Sequence, residues 1–346
     1  MLRRLVCALA LCAALAPSGA LAWNRSSVTM FASLPPGAGN PEGIAVDDDG
    51  NVYVTTFAVN HASGPGELLV FRPNGTLLRA VAIAGSSQLL LDLAFHPLTG
   101  ALLVIDFGLA RVLAVDPVTG DATVFATIPD IDPSPAVGPG PNALTFDDAG
   151  NVYVSDSFQG VVWRIAPGGG APTAWLTHDR LRTAGVPPFG ANGLAFDSAR
   201  TALFIANTGD DTVLRVPVAG DPLVAGTPAV FANSVNGADG LLLDEHDNVW
   251  VVANQANEIV VLNPAGKTIA KLGDFNGIRP DGAVKGLLFP ASIARWRNVV
   301  YVTNLVLDLR LFSGDFTTGD SEWTAQVTRH TVARIPAIIP AVLGGP

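Results

Sequence analysis

The chain has 346 residues, 14% of them charged, with a mean hydropathy of +0.38 and a formal net charge of −10. An acidic body excludes a nucleic-acid binder, which needs a basic face. Both cysteines, Cys7 and Cys12, sit at the extreme N-terminus, so thiol catalysis and cysteine-ligated zinc are excluded from the rest. The 36 glycines and 26 prolines call for many turns and suit an all-β fold of short strands.

In chain order, the first element is a leader. Arg3 and Arg4 precede an apolar stretch over residues 5–15, and Ala20-Leu21-Ala22 has the small-x-small form of a cleavage site. The apolar stretch is too short to span a bilayer comfortably. Residues 1–22 are therefore expected to be a signal peptide, giving a secreted or periplasmic protein with no stable membrane insertion. Its removal takes the formal charge to −12.

A phrase then recurs six times: PEGIAVDDDGNVYVTT at Pro41, LDLAFHPLTGALLVID at Leu91, PNALTFDDAGNVYVSD at Pro141, ANGLAFDSARTALFIAN at Ala191, ADGLLLDEHDNVWVVAN at Ala238 and ASIARWRNVVYVTN at Ala291. Equivalent leading residues are Glu42, Leu91, Asn142, Asn192, Asp239 and Ala291, spaced by 49, 51, 50, 47 and 52 residues. A period of this size marks a propeller or solenoid.

Each unit reads as four strands. In the first, residues 43–47 and 51–56 flank Asp48-Asp49-Gly50, and residues 68–73 and 75–81 flank Asn74-Gly75, both hairpin-turn signals. Outer pairs follow at 111–115 with 122–127, 161–166 with 173–177, 212–216 with 229–232, and 258–262 with 268–272. Six such units over residues 23–346 predict a single-domain, six-bladed β-propeller. Residues 27–34 resemble a fourth strand without a blade. They are expected to close the last blade beside residues 301–305 and 328–335, hiding two exposed sheet edges. The tail beyond residue 335 is apolar but broken by Pro336, Pro340 and Pro346, and reads as a terminus, not an anchor.

The first strand of each blade lines the channel, so the six leading residues are expected in one ring. Four bear oxygen: Glu42, Asn142, Asn192 and Asp239. Each alone is ordinary turn punctuation. Together, two carboxylates and two amide carbonyls make a hard-oxygen site for a divalent ion of the Ca2+ type. The ring holds no thiol or histidine, which disfavours zinc and copper. Without an ion, the two carboxylates would repel and one would protonate. A second ring is expected where the second strands end, at Thr56, Asp106, Asp156, Asn207, Asn254 and Asn304. These residues would orient the ligands, contact substrate, or cap strand ends.

Of the histidines, His96 and His246 fall in turns at the wrong end of their blades, while His61 and His178 fall in loops on the ring's face. Long loops at residues 129–141, 178–190 and 275–290 reach that same face and are candidate substrate lids, with Arg180, Arg182, Phe189, Phe275 and Arg279 as candidate linings. There is no nucleophile-elbow pattern.

The repeat phrases, and the Glu, Asn, Asn, Asp order in blades one, three, four and five, resemble the gluconolactonase/senescence-marker-protein (regucalcin) family over about residues 28–335. That order is shared with diisopropyl fluorophosphatase and, more distantly, paraoxonase. The resemblance implies a six-bladed, calcium-dependent hydrolase in which Glu42, Asn192 and Asp239 ligate a catalytic metal, and Asn142 ligates metal or contacts substrate. It implies ring-opening of a small-molecule lactone or ester by a monomer, with the metal as Lewis acid and Asp239 as general base or nucleophile. Phosphotriester hydrolysis shares that geometry. Other readings are a non-enzymatic binding propeller of the NHL-repeat kind and a metal-free, strictosidine-synthase-like enzyme.

Overall fold

The computed structural model describes residues 24–59, 63–131 and 138–340. The expected leader, His61 and the middle of the first long loop (132–137) lie outside the described residues. Six antiparallel sheets of four strands or more form the blades of a propeller. Their inner strands are Asn40–Val46, Leu90–Phe95, Pro141–Phe146, Ala191–Phe196, Ala238–Leu243 and Pro290–Trp296. Among the described residues no helix is long and apolar enough to cross a membrane.

The repeated phrase has a structural cause. In blade one, Asp47 Oδ1 accepts from the backbone of Asp49 and Asn51, and Oδ2 accepts from Asn51 Nδ2 and the Tyr53 hydroxyl at 2.9 and 3.0 Å. Asp147 repeats this with Asn151 and Tyr153, and Asp244 with Asn248 and the Trp250 indole. One carboxylate thus locks each turn and ties it to the second strand. Blade two substitutes His96, whose Nδ1 accepts from Leu98 and Thr99 while Nε2 donates to Gly150 O at 2.9 Å. That histidine is a turn clamp bridging two blades.

The other end of each inner strand carries a bulge. In all six blades the register with the second strand slips across the leading residue and its successor. A bulge bends the strand and re-aims its side chain. The bulge amides of Gly43, Ala143 and Ser292 are satisfied by the hydroxyls of Thr55, Ser155 and Thr303, each at 3.0 Å. Thr55 and Thr303 then donate to Leu91 O and Glu42 O, the leading residues of the next blades. A Cβ on Gly43 would lie 2.4 Å from Leu91 O, and one on Gly193 would lie 2.5 Å from Asp239 O. Glycine lets adjacent inner strands close up around the axis.

Second strands such as Val52–Phe57 and Ala202–Asn207 are buried throughout, and their side chains form the cores between neighbouring blades. Closure follows the expectation: Thr29–Ser33 is the outermost strand of blade six, paired with Thr331–Pro336. Phe31 packs on Tyr301 at 4.6 Å between centroids and edge-on to Phe71 of blade one at 6.4 Å. Three features depart from the sequence-based expectation. Blade four gains a short strand, Val224–Ala225, beside its third. The loop at 275–290 folds as a hairpin of Phe275–Ile278 with Val284–Gly286. Blade six carries a long excursion after residue 304, with short helices at Leu309–Leu311 and Ser321–Thr324.

Phe31 lies at the seam where Thr29–Ser33 pairs with Thr331–Pro336. Phe31→Ala should cost about 3 kcal/mol in urea denaturation, well above the effect of an alanine at a half-exposed position such as Leu78.

Candidate functional site

The bulges bring Glu42, Asn142, Asn192 and Asp239 together. All four line one pocket at the channel mouth, and none is more than 6% exposed. The two apolar ring positions differ: Leu91 lines the pocket, while Ala291 is buried beside it.

The amides are oriented by neighbours. Asn142 Nδ2 donates to Ser157 Oγ at 3.0 Å, and Ser157 spends its own proton on Ala191 O at 2.7 Å. Ser157 can therefore only accept from Asn142, which turns the Asn142 carbonyl away from it. Asn192 Nδ2 donates in the same way to Thr208 Oγ1 at 3.0 Å. Asn254 Nδ2 holds Asp239 Oδ2 at 3.1 Å. Two buried oxygens have no hydrogen-bond partner, Glu42 Oε2 and Asn254 Oδ1. Buried oxygens without donors are costly unless something positive faces them.

The acids show that cost. Burial, then the charges of Asp239 and Asp92, push the Glu42 carboxyl well above the usual carboxylate range. Burial pushes Asp239 to about 7, against the pull of the Asn254 and Asn192 amides and with a further push from Asp92. Two carboxylates, two aimed carbonyls and an unpartnered carboxylate oxygen fit a hard divalent cation.

Of the roles expected for the second ring, capping is the one that most of its side chains take. Only Asn254 of that ring lines the pocket. Asp106 accepts from Ser87 and pairs with Arg111 at 2.9 Å. Asp156 accepts from the backbone of Gly140, Phe158 and Gln159 and from the Trp163 indole. Asn207 donates to Arg180 O and Arg182 O. Asn304 clasps Leu288, Gly286 and Thr331, and Thr56 clasps Glu67. These side chains fasten the loops between strands and blades. Strand ends leave backbone groups unpaired, and a polar side chain there satisfies them.

The residues that orient the ligands sit one place further on, at Ser157 and Thr208. The sequence carries a signal for them: that place is Phe57, Phe107, Ser157, Thr208, Gln255 and Leu305, hydroxylic only in the two blades that supply Asn. Asp92 was also missed. Its place is glycine, alanine or serine in the other five blades. Its Oδ2 accepts from Leu144 N at 3.0 Å, deep in the channel that opens on the opposite face, and burial raises it to about 7.

Among the loop candidates, Phe189 lines the pocket. Arg182 instead lies against Gly160 and donates to Phe158 O, and Arg180 lends its backbone to Asn207. Phe275 stacks on Trp323 at 5.3 Å and Arg279 closes the hairpin turn, so neither lines the pocket. His178 caps a short helical turn through Arg180 N. His246 lies exposed on a turn beside Asp244 and Glu245, a group with Asp244 held by Trp250 and Glu245 by Arg295.

The raised acids fix a sign. An acid whose folded pKa lies above its unfolded value leaves stability intact at low pH and erodes it as pH rises toward the folded value. In chelator, Asp239→Asn should therefore melt progressively higher than the parent as pH rises from about 4 to 7. Adding Ca2+ at pH 7 should close that gap by stabilising only the parent, as read from thermal melts.

Residues 94–273 match the family model described as SMP-30/Gluconolactonase/LRE-like region. That segment contains Asn142, Asn192 and Asp239, while Glu42 joins them through the fold. A regucalcin described as a calcium-binding protein, from Agrobacterium tumefaciens, has a similar structure. Its TM-score is 0.60 at 17% identity, covering 89% of this chain and 95% of its own. A gluconolactonase from Xanthomonas campestris gives 0.58 at 13% identity, covering 92% and 91%. A luciferin-regenerating enzyme gives 0.60 at 14%, covering 87% and 92%. At these identities the likeness concerns the fold alone. No curated protein sequence matches the chain. With the family model spanning more than half of its length, the chain belongs to the SMP-30/gluconolactonase/LRE-like family.

Proposed function

We propose that the protein is a divalent-cation-dependent hydrolase of lactones or related esters, with Ca2+ held by Glu42, Asn142, Asn192 and Asp239. The observation that carries this is the buried, unpartnered Glu42 Oε2 beside a second buried carboxylate and two amides aimed by Ser157 and Thr208. Family membership and similarity to a gluconolactonase and a calcium-binding regucalcin support it. A bound divalent cation supplies Lewis-acid polarisation of a carbonyl oxygen and offsets the charge of the two acids.

The chain's own residues do the rest. Phe57, Phe189, Phe289 and Leu305 exclude bulk water from the pocket, which strengthens every charge interaction inside it. Asn142 and Asn192 hold fixed carbonyl dipoles that position the reacting group. Asp239, anchored through one oxygen by Asn254, receives the proton of the attacking water. As the acyl C–O bond breaks, that proton passes to the departing alkoxide, and a hydroxy acid is released. Attack by the carboxylate itself on a carbonyl or on a phosphotriester would use the same placement.

We also infer export, from the charged start, apolar stretch and small-x-small site of residues 1–22. N-terminal sequencing of protein recovered outside the cytoplasm should begin at Trp23.

Asp239→Ala should lower kcat/KM by about 10³-fold on any hydrolysed lactone while far-UV circular dichroism stays unchanged. Chelation should abolish turnover and Ca2+ should restore it. Full activity in excess chelator, or in the Asp239 variant, overturns the proposal.

A further inference from the structure

The pocket wall between the oxygen ring and the mouth is apolar. Phe57, Leu91, Phe189, Phe289, Leu305 and Leu307 line it, and among the described residues no cationic side chain does. Phe57 and Phe189 also belong to a continuous run of rings. Phe57 meets Phe107 at 5.9 Å, Phe107 meets Phe158 at 5.8 Å, Phe158 meets Phe189 at 5.4 Å, and Phe189 meets Phe312 at 5.7 Å. These rings come from the ends of second strands in blades one, two and three, from the loop before blade four, and from the excursion of blade six. The run goes from full burial at Phe57 to 42% exposure at Phe312. It is a continuous apolar cluster that joins the pocket wall to the surface.

The pocket offers few polar groups to a ligand. The Asn142, Asn192 and Asn254 amides each spend a proton, on Ser157, Thr208 and Asp239 in turn, and the Ser157 proton goes to Ala191 O. The unpartnered oxygens, Glu42 Oε2 and Asn254 Oδ1, accept only, and Glu42 is assigned to the cation. A ligand dense in hydroxyl groups would lose its water here against phenylalanine and leucine, with few partners in exchange.

Resting on the hydrolase reading above, we propose that the substrate is an alkyl- or aryl-substituted lactone or ester without free hydroxyls, and not a sugar lactone, its apolar group lying along the Phe57–Phe312 track. Each methylene that enters the track adds about fourfold to binding. Specificity comes from apolar area, and the ring oxygens act only on the carbonyl. Phe189 is the gate: it lines the pocket and touches Phe107, Phe158 and Phe312 at once.

The test uses the mature protein with Ca2+ present. The kcat/KM values for γ-butyrolactone, γ-nonalactone, dihydrocoumarin and glucono-1,5-lactone are compared. The proposal expects γ-nonalactone and dihydrocoumarin to exceed glucono-1,5-lactone by at least about 10²-fold. It expects Phe312→Ala, a change at an exposed ring, to shrink the nonalactone-to-butyrolactone ratio. Glucono-1,5-lactone turned over as well as γ-nonalactone, or a ratio unmoved by Phe312→Ala and by Phe189→Ala alike, overturns it. Should no lactone or ester be hydrolysed, the hydrolase reading fails by itself. Calorimetric binding of an alkyl-substituted δ-lactam against gluconolactam then decides the preference: tighter binding of the alkyl lactam supports the apolar track, and equal or weaker binding overturns it.

Discussion

Glu42 and Asp239 share a pocket that no cationic side chain lines among the described residues. Burial disfavours their ionisation, with a further push from neighbouring acids, which is why both carboxyls sit above their usual range. A fold tolerates such a placement only if the surrounding backbone enforces it. Here the enforcement is a bulge at the head of every inner strand, pinned in blades one, three and six by buried hydroxyls of the second strand and, at Gly43 and Gly193, by contacts so close that no side chain is accepted. The scaffold concentrates its electrostatic strain at one point on the axis. That point is where a positive ion and an electron-poor carbonyl gain most.

The architecture divides the two ends of the hairpins between different tasks. At one end, Asp47, Asp147 and Asp244 are saturated with hydrogen bonds and serve as turn locks. At the other, Glu42 keeps an oxygen without a donor, and Asp239 is held only by amide side chains. The same residue type is thus structural or reactive according to how many protons its surroundings offer. Asp106 and Asp156 show this most directly. They are fully buried like Asp239, yet their partners are Arg111 in one case and three backbone amides with an indole in the other.

Much of this was legible in the sequence. Six repeats of an apolar run, an Asp-Gly turn and a return strand fixed the blade number, and the lone strand at residues 27–34 fixed the closure. The ring was legible because one register carried oxygen in four blades. The second ring misled. Polar residues at strand ends have two uses that leave the same trace, orienting a ligand or capping backbone, and only Asn254 has the first. Ser157, Thr208 and Asp92 stood out only by comparison across blades at positions next to the obvious ones. The hairpin at Phe275–Gly286 and the excursion of blade six have no counterpart in the other units, so periodicity carried no information about them.

The ring is completed by pairing Thr29–Ser33 with Thr331–Pro336, almost the whole length of the polypeptide apart. All four oxygen donors have been synthesised by residue 239, with most of blade five and the later strands of blade six still to come. A fragment ending there owns the four oxygen donors but lacks Asn254 and has no circle to hold them opposite one another. The circle therefore closes only when the last strand docks, and proteolytic loss of either end removes the constraint that keeps the four oxygens facing one another.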